Sequence, residues 1–396
     1  MDSQAYQAFR RRITTAIWRD LDPLEDEIET TGALPYDRLW PLLREMGAFK
    51  LLIPEAYGGL GLTVTQYLPI LAEFAKIQGG IRVLVHAHNS MARALDELGN
   101  ERQRAAVLPG AAEGTRSVAF ALTEPDRGTG ADIGTLAERD GDDYVVSGRK
   151  WLITNADFAS HFILFVKTAP NRRDRAVSAL LVERDTPDLT IAEMPSLMGC
   201  KGGQHCQLTF ANARVPTSAL LGAEGEGLAQ MERAMAISRV FIAATSLGTA
   251  ERAFDLSLEH ARQRVTFGKP IAERQAVQRY LAEMATDIYA LRQMLADAAA
   301  KADRGRPILA ESSMCKLFGL EAVARVTDRA LLVHGGVGYT RAHPIERLYR
   351  DARLNWLEEG PPTVHYMVTA QQFLGGYTWE PAGDDGAGVG EPRATT

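Results

Sequence analysis

The spacing of apolar residues changes twice along this chain of 396 residues, and that change restricts the fold more than any other feature. From residue 4 to about residue 112, apolar residues recur every three or four positions, which is the period of amphipathic helices. Beyond residue 114 the period is two in short runs such as DDYVVSGRKWLIT and HFILFVKT, which predicts an antiparallel β domain. The helical period then returns over about 227–262, 271–304, 308–334 and 364–374, and four helices of that length predict a bundle.

The expected fold class is therefore α+β and mostly α, with an N-terminal helical domain, a central antiparallel β domain and a C-terminal four-helix bundle. The length agrees, because domains of ~150 residues give two or three in a chain of this size. We place the N-terminal domain at 1–115, the β domain at 116–225 and the bundle at 226–376. The remaining residues, 377–396, are rich in Gly, Pro and acidic side chains, and we expect them to form a disordered tail.

Composition excludes several classes of protein. Lys and Arg number 44 against 50 Asp and Glu, so the net charge of −6 has the wrong sign for a nucleic-acid-binding chain. Three cysteines are too few to staple a chain this long, which favours a reducing compartment, and we expect a cytoplasmic protein. The sequence has no predominantly apolar run of ~18 residues, so we expect no membrane span.

The commonest catalytic motifs are absent from the sequence. No serine lies in a G-x-S-x-G elbow, and the eight histidines do not follow a hydrolase pattern. Cys200, His205 and Cys206 have neither zinc spacing nor a second pair of ligands, so we expect no metal site. The glycines at 128, 130 and 134 do not match a dinucleotide-binding loop, because the third comes one position late.

Three segments are unusual: ALTEPDRGTGAD, RKWLITN and HGGVGYTRAHPIERLYRDARLNWLEEGPP. The first reads as a strand that enters a glycine-rich loop. Backbone N–H groups and threonine hydroxyls there suit a phosphate or the polar edge of a flat heteroaromatic ring, although an ordinary turn explains the glycines equally well. In the third segment Glu358 and Glu359 precede a Gly-Pro-Pro helix break, and this acidic pair is either a solvated face or a general base.

Together with RVTFGKPI and RDAR, these segments resemble the acyl-CoA dehydrogenase family in order and spacing, from about residue 36 to residue 374. The resemblance implies the same three-domain fold, non-covalently bound FAD and a homodimer or homotetramer. It also implies an oxidoreductase that acts on acyl thioesters and passes electrons to an electron-transferring flavoprotein or to oxygen.

The resemblance assigns cofactor-binding roles to residues in four stretches. The first flavin stretch, which would cradle the flavin, contains Phe120, Leu122, Thr123, Gly128 and Thr129, and the second flavin stretch, which would back it, contains Leu152, Ile153 and Thr154. The third stretch, which would reach the adenine dinucleotide half of a neighbouring subunit's FAD, contains Arg264, Thr266, Phe267 and Gln275. The fourth stretch, which would bring backbone close to the cofactor, contains Leu332, Gly335, Gly336 and Pro361. Several positions depart from the family pattern: Leu332 replaces a common glutamine, Trp151 lies one place earlier than the usual tryptophan, Thr129 stands where serine is usual, and Pro361 stands where threonine is usual.

The same resemblance places Glu359 on the family's catalytic base, which removes a proton α to the thioester carbonyl while hydride leaves the β carbon for the flavin. Thr129, Arg239 and Gly360 would contact the substrate. Glu358 stands where many members have tyrosine, and we expect its side chain to point to water.

Arg82 bears on the choice of substrate, since it lies among apolar residues eight positions before Ser90. Glutaryl-CoA dehydrogenases resemble this segment and use an arginine there to bind the substrate's distal carboxylate. A buried cation needs a partner, and either a substrate carboxylate or a protein acid would serve. Related polyketide-pathway dehydrogenases also carry an arginine here, so the thioester is on CoA or on an acyl carrier protein.

The function predicted from the sequence is FAD-dependent α,β-dehydrogenation of a short acyl thioester, with or without a carboxylate on the acyl chain. Two alternatives stay open: a flavin monooxygenase or oxidase on the same fold, and a non-catalytic binding protein that resembles the dehydrogenases. Glu359 counts against the first, because those relatives generally lack the glutamate. Leu332, Pro361 and the altered segment GCKGGQHC keep the second open.

Overall fold

The computed structural model describes residues 1–128, 130–169 and 176–379, with helices at both ends of the chain and a sheet between them. The first part of the chain is helical because its apolar residues fall on one side of each turn; α3, for example, buries Leu39, Leu43 and Met46. The helices before the sheet are α1 Ser3–Ala16, α2 Glu25–Thr31, α3 Tyr36–Met46, α4 Val64–Phe74, α5 Gly79–Leu98 and α6 Glu101–Ala112.

The central sheet contains β1 Val118–Ala121, β2 Leu136–Asp140, β3 Asp143–Thr154, β4 His161–Lys167, β5 Val177–Glu183, β6 Leu189–Glu193, β7 His205–Pro216 and β8 Leu220–Leu221. Its strand order is β6-β7-β3-β2-β4-β5-β8, with β1 paired to β4. Most pairings are antiparallel, but β4 runs parallel to β1 and to one position of β2, which differs from the wholly antiparallel domain predicted from the sequence. The long connections between these strands allow the parallel pairings.

After the sheet come α7 Gly227–Gln263, the hairpin strands β9 Val265–Thr266 and β10 Lys269–Pro270, α8 Gln275–Asp303, α9 Leu309–His334, α10 Ile345–Leu354 and α11 Pro362–Leu374. The helices α7, α8, α9 and α11 correspond to the four predicted for the bundle, so the predicted fold class is confirmed. The small hairpin was not predicted, because it is too short to show a clear period, and α10 was missed although it buries Ile345, Leu348 and Ala352 at helical spacing. The domain boundaries at 115, 225 and 376 stay a proposal.

One hydrophobic core joins the N-terminal helices to the bundle, and the sheet has a core on each face. Gly248 of α7 lets α4 approach closely: a Cβ at this glycine would lie 2.0 Å from the carbonyl oxygen of Ala72. The face of the sheet formed by β1, β4 and β5 packs on α5, α6 and the start of α7. As a result, α5 contacts both the sheet and the bundle.

The end of the described chain packs on the bundle. Tyr377 and Trp379 lie against Phe373, and the hydroxyl of Tyr377 donates to the carboxylate of Glu311. The rest of the predicted tail, 380–396, lies outside the described residues. Within the described ranges, every helix is too short or too polar to cross a membrane.

Candidate active site

The loop between α10 and α11, residues 355–361, carries both acids of the third unusual segment, and we call it the strap. Glu359 has φ +56°, in the left-handed region that residues other than glycine seldom adopt, and Gly360 follows with φ +96°. A non-glycine residue in such a conformation costs on the order of 1–3 kcal/mol and persists only where its surroundings hold it. The strap is therefore a constrained loop.

The carboxylate of Glu359 meets α5 and α7. Ser238 of α7 donates its hydroxyl to Oε1 at 2.8 Å, and Ser90 of α5 lies 3.1 Å from the Ser238 hydroxyl. His86, one turn before Ser90, has its Nε2 3.9 Å from Oε1 of Glu359. Only 13% of the Glu359 side chain is exposed, so the predicted base is a largely desolvated, oriented carboxylate.

Glu358 does not point to water, and that expectation was wrong. Its carboxylate accepts two hydrogen bonds from Nη1 of Arg82, at 2.9 and 3.1 Å, and the side chain is 12% exposed. Arg82 is itself 3% exposed and also donates to Oδ1 of Asn355 at 3.1 Å. A glutamate side chain is normally solvated unless a cation is buried nearby. Here the buried guanidinium of Arg82 needs an acidic partner, and Glu358 supplies it.

Electrostatics keeps both members of the Arg82–Glu358 pair charged. Burial lowers the pKa of Arg82, but Glu358, Cys200 and Asp351 together raise it more, so the net change is upward. Burial raises the pKa of Glu358, but Arg82, His86 and His205 together lower it more, and the net change is downward. Of the two partners that the sequence allows for Arg82, the structure therefore contains the protein acid.

Arg239, one residue after Ser238 on α7, is a buried cation with free donors. It is 7% exposed, and its Nε and Nη1 have no hydrogen-bond partner among the described residues. Burial lowers its pKa, while attraction to the nearby Glu359 raises it. Buried donors of this kind need an acceptor, which favours Arg239 as a substrate contact beside the base.

The first flavin stretch follows β1. Phe120 is the third residue of β1, and Leu122 and Thr123 come directly after the strand. The backbone N–H of Trp151 in β3 donates to the carbonyl of Thr123 at 2.8 Å, which joins the end of β1 to the second flavin stretch. Gly128 is exposed in the loop beyond, and Thr129 lies outside the described residues.

A buried ion pair fixes this loop. Lys150 of β3 is fully buried and donates to Oε1 of Glu124 at 2.9 Å and to the carbonyl of Leu122 at 3.1 Å. The Glu124 carboxylate also accepts from the backbone of Gly134 and from the backbone and hydroxyl of Thr135. Burial raises the pKa of Glu124, but the hydrogen bonds from Thr135, Lys150 and Gly134 and the charge of Lys150 together lower it more, to about 2.

The second flavin stretch contains a bulge in the pairing of β3 with β7, between residues 150 and 153. Leu152 lies in this bulge with φ +56° and is 43% exposed, whereas Ile153 is buried. Thr154 has its hydroxyl 3.0 Å from Nε2 of His205, whose Nδ1 lies 2.8 Å from the carbonyl of Gly203. The bulge therefore turns one apolar side chain out of the sheet, a position suited to the face of a flat ring.

The third and fourth stretches are at the surface of the bundle. Arg264, Thr266 and Phe267 lie at the β9–β10 hairpin, and Gln275 opens α8. Leu332 is in the last turn of α9, and Gly335 and Gly336 follow it; an added Cβ at either glycine would meet no atom within 4 Å. Several large apolar side chains here are exposed: Val265 54%, Phe267 98%, Leu332 57%, Val337 41% and Tyr339 87%.

These surroundings fit FAD. The open space over Gly335 and Gly336 admits a cofactor or another chain against bare backbone, and the exposed Arg264 offers a cation for a phosphate. The turned-out Leu152 and the anchored loop after β1 offer an apolar contact and backbone donors for the flavin ring. Pro361 ends the strap and is exposed.

The structure brings together Arg82, Arg239, Glu359 and Gly360 around the strap, and the hairpin group forms a separate surface. Sequence reasoning missed His86 and Ser238. A signal for His86 was available, because polar residues recur at positions 82, 86 and 90, every four residues along one face of α5. Ser238 had none, since its role depends on the contact with Glu359, 121 positions away.

Comparison with known proteins adds an identification. Three family models match in order: acyl-CoA dehydrogenase, N-terminal domain, over 3–115; middle domain, over 119–213; and C-terminal domain, over 225–374. An acryloyl-CoA reductase (NADH) of Anaerotignum propionicum is 35% identical over 90% of this chain and 91% of its own.

Solved structures agree. Butyryl-CoA dehydrogenase from Megasphaera elsdenii matches with a TM-score of 0.89 and 30% identity, over 94% of this chain and all of that chain. An acyl-CoA dehydrogenase complexed with FAD from Bacillus anthracis matches with a TM-score of 0.85 and 29% identity, over 94% of this chain and 67% of that one.

Proposed function

The chain belongs to the acyl-CoA dehydrogenase family, and we propose that it removes hydrogen from the α and β carbons of a short, uncharged acyl-CoA with Glu359 as the base. It is an oxidoreductase with FAD as its cofactor. The observation that carries the proposal is the largely buried Glu359 carboxylate, oriented by Ser238 in a constrained strap.

In this mechanism Glu359 takes the α proton of the thioester. Ser238 holds Oε1, which leaves the other carboxylate oxygen for the proton, and the positive φ of Glu359 keeps that oxygen in place. Arg239 would supply its free buried donors to a polar group of the substrate. When FAD is bound, its chemistry is to accept hydride from the β carbon. Leu152, Thr154 and the loop after β1 would hold and orient the flavin.

The uncharged acyl chain follows from Arg82. Its guanidinium is already bonded to Glu358 and Asn355, so a substrate carboxylate would have to displace a buried protein acid. We therefore propose that the Arg82–Glu358 pair closes the acyl pocket to dicarboxylic substrates, in contrast to the clamp that the resemblance to glutaryl-CoA dehydrogenases implied.

Two further parts of the proposal concern partners. The exposed apolar side chains Val265, Phe267, Leu332 and Tyr339 would be covered by a second copy of the chain, which supports a homodimer or homotetramer that shares the FAD sites. An electron-transferring flavoprotein is the proposed electron acceptor. Placement of Glu359 at the strap favours thioester dehydrogenation over a monooxygenase or oxidase.

The test is an anaerobic titration of the purified yellow holoenzyme with butyryl-CoA and, separately, with glutaryl-CoA. Butyryl-CoA should bleach the visible flavin band, and glutaryl-CoA should leave it unchanged. Bleaching by glutaryl-CoA, whether or not butyryl-CoA also bleaches the flavin, would overturn the proposed role of Arg82 and Glu358. A flavin that neither compound reduces would contradict the proposed substrate class.

A further inference from the structure

A lysine of α9 is buried directly beneath the base. Lys316 is fully buried, and its Nζ donates to the carbonyl of Glu358 at 2.5 Å and to the carbonyl of Gly360 at 2.9 Å. These two carbonyls flank Glu359 on either side. A single ammonium group thus bonds both neighbours of the residue that has the strained backbone.

His365, in the first turns of α11, completes this arrangement. Its Nε2 lies 3.0 Å from the carbonyl of Gly360 and 3.4 Å from Nζ of Lys316. Burial, followed by the charges of Lys316 and Arg239, lowers the pKa of His365 to about 3, so the ring is neutral and its Nε2–H donates to Gly360. The carbonyl of Gly360 is therefore held from two helices.

Burying a lysine without a carboxylate bonded to it is unfavourable. The charged and titratable groups that face Lys316 are Glu358 and Glu359 from the strap, Arg239 from α7 and His365 from α11. Burial lowers the pKa of Lys316 to about 8, which leaves it protonated at neutral pH. A cation in this position is hard to explain by stability, because an apolar side chain would fill the same space at less cost.

We propose that Lys316 is a positioning residue for Glu359: by bonding the carbonyls on both sides, it fixes the left-handed backbone of the base and so the direction of its carboxylate. The inference rests on the proposed role of Glu359 as the base. Lys316 contacts the backbone of the strap, and its effect on the reaction passes through Glu359. It restrains the strap from the bundle side, while Ser238 restrains the carboxylate itself.

The chain offers a matched control. Lys301 of α8 is also buried, at 6% exposure, and bonds α9 through the carboxylate of Glu311 at 2.9 Å, but it has no part in the strap. Lys301→Met and Lys316→Met therefore each remove one buried ammonium group that contacts the bundle. Lys316→Arg keeps a cation with several donors, and Lys316→Gln is a milder variant in case the methionine does not fold.

The first measurement is hydrogen exchange by mass spectrometry on the FAD-loaded proteins, read on peptides that contain residues 355–361. Lys316→Met and Lys316→Gln should speed exchange of these amides by about ten-fold, because opening of the strap becomes easier. Lys301→Met should leave them at the wild-type rate. Unchanged exchange in both Lys316 variants would overturn the proposal, and this result does not depend on which acyl group the enzyme uses.

The second measurement is the rate of flavin reduction by saturating butyryl-CoA. A misplaced base should lower this rate by about 10²-fold in Lys316→Met while KM stays within about three-fold, with partial recovery in Lys316→Arg. The isotope effect from α-deuterated butyryl-CoA should rise in Lys316→Met alone. Equal losses in Lys316→Met and Lys301→Met would reduce Lys316 to a structural residue. A wild-type enzyme that ignores butyryl-CoA would contradict the proposed substrate, and the exchange data would still decide the role of Lys316.

Discussion

Two fully buried lysines hold two loops in this protein, and they do so in different ways. Lys150 in the sheet bonds a carboxylate, that of Glu124, together with one carbonyl. Lys316 in the bundle bonds two carbonyls, and the nearest acids, Glu358 and Glu359, belong to the loop that it holds. The charge of Lys150 is neutralised by the Glu124 carboxylate, whereas the charge of Lys316 faces the strap that carries the predicted base.

The difference indicates that Lys150 stabilises the fold, whereas Lys316 positions a reactive residue. The Lys150–Glu124 pair ties β3 to the loop after β1, and Glu124 also accepts from Gly134 and Thr135. A neutral, fully bonded pair of this kind fixes the position of its loop without adding a net charge there. Lys316 fixes the backbone around a single residue, so its loss should appear in the rate before it appears in the fold.

The largest expected effect comes from the base itself. Glu359→Gln should keep FAD bound but slow substrate-driven flavin reduction by about 10⁴-fold, because the amide cannot take the α proton. Anaerobic stopped-flow absorbance with butyryl-CoA measures this rate. Glu321→Gln, at an exposed acid of α9, is the control and should reduce its flavin at the normal rate. Undiminished reduction by Glu359→Gln would place the base outside the strap.

The second prediction concerns Lys150 of the sheet, whose loss should reduce stability more than it reduces the rate of flavin reduction. Lys150→Met leaves the Glu124 carboxylate buried without its cation and should cost about 3–5 kcal/mol of stability. The melting temperature at a fixed excess of FAD should therefore fall more for Lys150→Met than for Lys316→Met. The loop that Lys150 anchors would orient the flavin rather than the base, so flavin reduction in the FAD-saturated Lys150→Met protein should fall less than in Lys316→Met. A large loss in the rate of flavin reduction in Lys150→Met, with an unchanged melting temperature, would contradict the proposed difference between the two lysines.

Sequence patterns locate both loops and miss both lysines. The period change marks the sheet and the bundle, and the motif ALTEP and the acids at 358–359 mark the ends of the elements that carry the loops. Lys316 stands in SSMCKLFGL, where a lysine within apolar residues is as consistent with a snorkelling side chain as with a buried one. Its bond to the strap spans 42 positions, and no local pattern encodes a contact of that range.

The same limit explains the error at Glu358. Exposure is the default for a glutamate, and the partner that overrides it is 276 positions away on α5. Arg82 and Glu358 were each notable in the sequence, but pairing them requires the packing of α5 against the strap. A Cβ on Gly79, the first residue of α5, would lie 2.7 Å from Oδ2 of Asp351 in α10, and this close approach to the helix that precedes the strap is part of that packing.

A third prediction uses the strap to test selectivity. Glu358→Gln removes the negative charge from Arg82, which then has a free charge for a substrate carboxylate. The ratio of kcat/KM for glutaryl-CoA to that for butyryl-CoA should rise by about ten-fold, as expected for one new charge-assisted contact. Arg82→Met/Glu358→Gln is the control and should show no such gain. An unchanged ratio in Glu358→Gln would show that Arg82 does not face the acyl chain.

The smallest effect is a pH dependence that belongs to the sheet alone. The pKa of Glu124 is about 2 in the folded protein against an ordinary 4.5, so its ionised form stabilises the fold above about pH 4.5 and this contribution is lost as the pH falls toward 2. Between about pH 5 and pH 4, Glu124→Gln should therefore lose less stability than the wild type, by under about 1 kcal/mol. Thermal unfolding at the two pH values, at constant FAD, measures the difference. Lys316→Met should follow the wild-type slope, because its site holds no carboxylate that Lys316 bonds directly; an altered slope there and none at Glu124 would show that the two lysines had been assigned the wrong roles.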